Sequence, residues 1–180
     1  MIMGKERFQL EDVWNNLSRT PKVLRSMLEG LSCEWLHFNE GENTWSPFDV
    51  LGHLLHGEKA NWVNRIRTIL QDGEKKPFAP FDRSAFLQEN KHKSLRILLD
   101  EFESIRLENI HLAQTLVKTK EDLLRIGKHP EFGTVTLQQL LATWSTHDLN
   151  HIGQIVRVMA KYYEDEIGPW KAYLGIFQPK

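Results

Sequence analysis

The sequence predicts an all-α protein, a four-helix bundle with one long crossover. Three observations lead there. Apolar residues recur at helical spacing over four long stretches, no convincing run of alternating strand pattern interrupts them, and cap, proline and glycine signals punctuate the chain between them.

The first helical region spans about residues 10–31. Thr20-Pro21 interrupts it: Thr20 can cap and Pro21 suits a first helical position, so this is either two helices or one kinked helix. Asn39-Glu40-Gly41-Glu42-Asn43 reads as a loop. Ser46-Pro47-Phe48-Asp49 then opens a second helix, with Ser46 as cap, Pro47 where its missing amide costs nothing and Asp49 in the first turn; it runs to about residue 71, with Gly73 as its stop. Lys76-Pro77-Phe78-Ala79-Pro80-Phe81 has too many prolines for a helix interior and too many aromatics for a free linker, so it is expected to be an ordered crossover packed on the bundle. A third helix starts at Ser84 or Ser94 and reaches about residue 117, and residues 122–126 are expected to add one short turn. His129-Pro130-Glu131-Phe132-Gly133 is a loop. Thr136-Leu137-Gln138-Gln139 is a capping-box pattern that opens the last helix, to about residue 163, and Gly168-Pro169 follows with a short aromatic tail. Residues 1–180 are expected to form a single domain, as 180 residues can bury an adequate core without disulfides or a structural metal.

Composition narrows the function classes. Lysine and arginine number 23 against 24 acidic residues, for a net charge of -1, and no basic stripe interleaved with aromatics is visible, so nucleic-acid binding is not expected. Cys33 is the single cysteine, which excludes an internal disulfide framework and a thiol-based metal site. Residues 1–7 lack the apolar core of a signal peptide and no apolar run is long enough to cross a bilayer; a cytoplasmic location without membrane attachment is the expectation.

The chemistry is carried by histidine. His147 and His151 lie four residues apart, so at about 100° per residue their rings project from one helix face about 40° apart. Leu140, Trp144, Ile155, Val158, Met159 and Tyr162 fall on the same side, which puts the pair on the core-facing stripe. Two neutral imidazoles buried together each need a hydrogen-bond partner and two charged ones repel; a metal ion removes the conflict by taking a lone pair from each. Core histidines bonded to other side chains are the plainer alternative. Asp148 can accept a proton from a ligand histidine, or bonds from Trp or Arg in the core, and Gln154 can face the site or flank it. A third ligand must come from elsewhere. His37, His92, His111 and His129 lie in loops or on charged faces and suit solvated or packing roles. His53 and His56 share the second helix, and periodicity does not choose between them, since His53 points almost opposite the stripe of Phe48, Leu51, Leu55, Trp62, Ile66 and Ile69.

Trp45-Ser46-Pro47 with Gly52-His53-Leu54 and Glu58, followed by Thr136-Leu137 and His147-Asp148-Leu149-Asn150-His151-Ile152-Gly153-Gln154, resembles the DinB/YfiT-like superfamily. The resemblance spans nearly the whole chain, including the Pro/Phe crossover and Gly168-Pro169-Trp170. It implies a four-helix bundle with a long crossover and a metal triad of one histidine from the second helix and two from the last, here His53, His147 and His151, with His56 an extra imidazole. Three imidazoles leave an open coordination position, the pattern of a catalytic site. The expectation is one divalent ion (zinc, nickel or iron) that activates an external low-molecular-weight thiol or water against a small electrophile. Relatives that use such thiols favour a transferase; a metal-dependent hydrolase and a non-enzymatic metal-binding stress-response module are the alternatives. Glu58 and Asp148 are candidate catalytic carboxylates, with helix-surface and core salt-bridge roles as alternatives. A homodimer is expected because relatives commonly pair and because Trp35, Trp45, Phe78 and Trp170 fall near loops or ends; such aromatics sit either in an interface or around a substrate pocket.

Overall fold

A computed structural model describes residues 7–178, so nearly all of the segment read for a signal peptide lies outside the described residues. Four long helical stretches form the bundle. The first, α1 (Leu10–Leu28), buries Val13, Trp14, Leu17, Leu24 and Leu28 and is continuous, where the sequence allowed a break at Thr20-Pro21 and a reach to residue 31. Pro21 has no N–H, so it strips the Leu17 carbonyl of its helical donor. Arg106 on another helix restores the bond, donating from Nη1 to that carbonyl at 3.1 Å. Thr20 caps nothing; its hydroxyl donates back to the Asn16 carbonyl at 3.3 Å.

A single turn, α2 (Cys33–His37), precedes α3 (Pro47–Ala60). The start of α3 follows the sequence: the Ser46 hydroxyl accepts from the Asp49 amide at 3.2 Å, and the Asp49 carboxylate accepts from the Ser46 amide at 3.0 Å. The sequence reads one helix to residue 71; the structure interrupts it at Asn61 (φ -115, ψ -74) and resumes as α4 (Trp62–Gln71). The Asn61 amide still donates to Gly57 and its carbonyl still accepts from Arg65, each at 3.0 Å, so the interruption leaves these backbone bonds in place. The crossover is ordered as expected, with Phe78 3% and Phe86 1% exposed, and it contains a short helix, α5 (Phe86–Glu89). Of the two possible starts of the third long helix, Ser94 is the cap, and α6 (Leu95–Leu116) follows it.

The extra turn after α6 is α7 (Lys120–Leu123), capped by Thr119 and placed two residues ahead of the expected position. The sequence reading contained no strand, but Ile126–His129 (β1) and Gly133–Thr136 (β2) pair antiparallel around the predicted loop. Four residues each are too few for alternation to stand out. Contacts decide the hairpin instead. A Cβ on Gly127 would lie 2.6 Å from Ile69 Cγ1 and 3.0 Å from Phe78 Cε1, so only glycine lets β1 press this closely on α4 and the crossover. The Phe78 amide also donates to the Lys128 carbonyl at 2.9 Å. The last long helix, α8 (Leu137–Lys161), opens on the capping box of Thr136 and Gln139. Helices α1 and α3 both pack against α6 and α8. No helix among the described residues is long and apolar enough to cross a membrane.

Candidate metal centre

Helix α3 is buried on every side from Val50 to Glu58, which explains why its apolar stripe could not reveal the direction of His53. The face carrying Gly52 lies under the crossover; a Cβ there would meet Asn90 Nδ2 at 2.8 Å and Phe86 at 3.1 Å. His53 is thereby enclosed, at 4% exposure. One turn apart on α8, His147 and His151 project towards it. His147 Nε2 stands 3.3 Å from His53 Nε2 and 3.2 Å from His151 Nε2. Ligand atoms of the three residues all lie within 4.8 Å of one another, so the three can hold one metal ion. Nitrogens bound at about 2.0–2.1 Å in tetrahedral directions stand about 3.3–3.4 Å apart, so the observed separations match the edges of such a site.

The protonation pattern supports the same arrangement. His151 Nδ1 lies 2.8 Å from the Gln154 amide oxygen, which can only accept, so Nδ1 carries the proton and the Nε2 lone pair faces the other rings. Burial, reinforced by the neighbouring histidines, pushes His53 down to about 3, and the Arg83 backbone opposes this more weakly. Burial, then His151 and Arg106, pushes His147 down to about 3, and burial also lowers His151. The rings are therefore neutral at neutral pH, the form in which imidazole can bind a metal. One proton shared among three converging Nε2 atoms cannot give each lone pair a full hydrogen bond. A cation accepts all three lone pairs at once.

The triad forms part of the wall of a cavity of about 540 Å³. Trp45 lies over His53 at 4.7 Å between ring centroids, and Trp62 meets His147 edge-on at 5.2 Å. The crossover and the hairpin supply further walls, including Phe78, Phe81 and His129. His56 turns away from the triad; its Nδ1 pairs with Glu89 at 3.1 Å and its ring rests on Phe81.

Glu58 and Asp148 lie in a separate buried cluster. Arg106, fully buried, donates to both oxygens of Asp148 and, at 2.9 Å, to Glu58. Trp144 Nε1 and Asn109 Nδ2 each donate to Glu58 at 2.9 Å. Burial alone would lower the Arg106 pKa; the attraction and hydrogen bonds of Glu58 and Asp148 outweigh it and hold the guanidinium charged above its usual range. Asp148 thus takes the core-arginine partner that its sequence position allowed, and it is Gln154 that bonds a triad histidine.

Several polar residues lining the cavity were not singled out by sequence reasoning as site residues, among them Asn61, Arg65, Arg83 and His129. His129 had been given a solvated or packing role, and Asn61 and Arg65 had no motif. Asn61 and Arg65 have the i, i+4 spacing of one helix face, but Asn64, Arg67, Thr68 and Gln71 on the same helix keep that spacing from standing out.

Of the four aromatics behind the dimer expectation, Trp45 and Phe78 line this cavity and Trp35 packs on Tyr162 and Tyr163, while Trp170 is 70% exposed.

Fold and site together define a helical-bundle protein with a three-histidine centre able to take a metal ion. The model of the DinB superfamily matches residues 16–155, and the chain belongs to that superfamily. Among solved structures it is similar to YfiT from Bacillus subtilis, with 19% sequence identity, a TM-score of 0.74, and coverage of 90% of this chain and 92% of that one. YfiT is described as a probable metal-dependent hydrolase with an unusual four-helix bundle topology. Comparison with curated proteins gives no match.

Proposed function

We propose that the protein is a metal-dependent enzyme acting on a small electrophile, with one divalent ion (zinc, nickel or iron) held by His53, His147 and His151. The observation that carries this reading is the convergence of three Nε2 atoms in the wall of an open cavity. A divalent ion bound there supplies Lewis acidity, lowering the pKa of a coordinated nucleophile. The chain's residues do the rest. Gln154 holds the His151 ring in the ligating tautomer, and Trp45, Trp62 and Phe81 give the substrate an apolar enclosure that excludes bulk water.

Hydrolysis with water as the nucleophile is the first reading, supported by the description of YfiT. Transfer of an external low-molecular-weight thiol is the second. Cys33 is exposed and is not among the residues lining the cavity, so a thiol would enter from solution. The test is elemental analysis of untagged protein, followed by parallel assays of ester, amide and epoxide probes with and without added thiols. One equivalent of metal and metal-dependent turnover are expected. Turnover only with a thiol selects the second reading; absence of metal uptake overturns both and leaves a binding module. A homodimer remains part of the proposal through the exposed Trp170 and Tyr173 of the tail. Light scattering at micromolar concentration is expected to give twice the chain mass, and a monomer mass overturns pairing.

A further inference from the structure

We propose that, in the wall of the metal cavity, Arg65 receives a carboxylate and the neighbouring Asn61 side-chain carbonyl oxygen receives a hydrogen-bond donor of the same ligand, so that the substrate is a small organic acid with an apolar body and a hydroxyl or amine group. This rests on the reading of the cavity as a substrate pocket. Both residues line that cavity, one helical turn apart at the start of α4. Arg65 is half-buried, and its guanidinium has no hydrogen bond or ion pair with the described residues; it lies over the Phe78 ring at 5.1 Å. Arg25, also half-buried, is paired with Asp100 and Glu103. A charged fork left unpaired in a partly desolvated wall is costly unless something arrives to meet it. Burial indeed pulls the Arg65 pKa down, and Glu131, exposed on the hairpin turn, opposes this without forming an ion pair.

Asn61 is the second, independent observation. It is 8% exposed, and its Oδ1 is buried with no partner. Buried amide oxygens are nearly always bonded, so an orphan beside a cavity marks a position where a ligand donor belongs. His129 adds a third polar group. Its Nδ1 accepts from the Glu131 and Phe132 amides at 3.1 and 3.3 Å, which places its proton on Nε2 and gives the cavity lining another N–H donor. A planar guanidinium fork matches a carboxylate through two parallel N–H bonds. The aromatic walls accept the apolar part of the ligand, and the reacting group is left to the triad.

Calorimetric titration of 4-phenylbutyrate and its neutral isostere 4-phenylbutanamide, against metal-stripped and zinc-loaded protein, tests the subsite. The acid is expected to bind at least about tenfold more tightly than the amide in both forms. Arg65→Gln is expected to abolish the preference and Arg65→Lys to keep part of it, which separates lost charge from a misfolded variant. Asn61→Ala is expected to leave binding of the acid, which offers no donor to the lost oxygen, unchanged. Equal binding of acid and amide by the unaltered chain, or no binding of the acid, overturns the proposal. So does a preference that needs zinc and survives Arg65→Gln, since the carboxylate then sits on the metal. If the chain takes up no zinc, the metal reading fails, and the metal-free titration still decides the subsite.

Discussion

Two polar clusters lie side by side in this bundle and share two helices, with α6 adding Arg106 and Asn109 to one of them. Helix α3 gives His53 to one and Glu58 to the other; α8 gives His147 and His151 to one, and Trp144 and Asp148 to the other. The Arg106 cluster is close to saturated. Its guanidinium reaches two carboxylates and the Leu17 carbonyl, Glu58 collects donors from Arg106, Trp144 and Asn109, and only Arg106 Nε lacks a partner. The histidine cluster is the reverse, with three Nε2 atoms facing one another and a cavity alongside. A polar group that is buried and matched holds a fold together; one that is buried and unmatched beside open space awaits a ligand.

The contrast breaks most visibly at Arg106. Arg106→Met strands two buried carboxylates and returns the Leu17 carbonyl to an unpaired state, so urea unfolding is expected to show a loss of about 3–5 kcal/mol. A loss below about 1 kcal/mol would mean that the cluster is not structural. At the other cluster the order of effects reverses. His147→Ala or His151→Ala is expected to remove stoichiometric metal uptake while far-ultraviolet circular dichroism of the metal-free chain stays close to that of the unaltered protein. Unfolding of either variant without metal would make these histidines structural and erase the distinction.

A finer test is Gln154→Leu, which takes the acceptor from His151 Nδ1 and leaves the triad intact. Metal affinity is expected to fall about 10–100-fold, the usual effect of removing a hydrogen bond behind a ligand. Unchanged affinity in competition with a chelator would show that Gln154 merely flanks the site. A further test lies in pH. His53 and His147 titrate near 3 in the folded chain, against about 6.5 when unfolded. Between those values the unfolded chain binds more protons. Stability of the metal-free protein is therefore complete above about pH 6.5 and declines as pH falls, by up to about 1.4 kcal/mol per pH unit for each ring that stays neutral. Urea melts from pH 7 to 4.5 are expected to show this slope and His147→Asn to reduce it; identical slopes would place the acid sensitivity elsewhere.

How far these features were legible in the sequence varies along the chain. Caps at Ser46 and Thr136 were readable because a capping box is local, complete within four residues. The pairing of His147 with His151 was readable for the same reason, since helical spacing alone puts both on one face. His53 was not: α3 is covered all round, so no stripe pointed to the triad, and only resemblance to a family selected it over His56. The hairpin escaped because four-residue strands carry too little pattern, and the Asn61 interruption because the backbone bonds on either side of it are those of a helix. Asn61 and Arg65 share one turn of helix, but His129 comes from the distant hairpin, and nothing local marks it as their neighbour.

By itself, then, the sequence determined the number of long helices, where most of them begin, the direction of two imidazoles and the order of the crossover, because each depends on contacts within a turn or two of helix. Tertiary structure decided what depends on partners far along the chain. It kept α1 whole through Pro21 by lending the Leu17 carbonyl a donor from Arg106, 89 residues away. It bound Glu58 and Asp148 to that same arginine, and it brought His53 across 94 residues to His147. A buried polar atom must be matched by whatever the fold sets beside it, and that neighbour has no local signature in the chain.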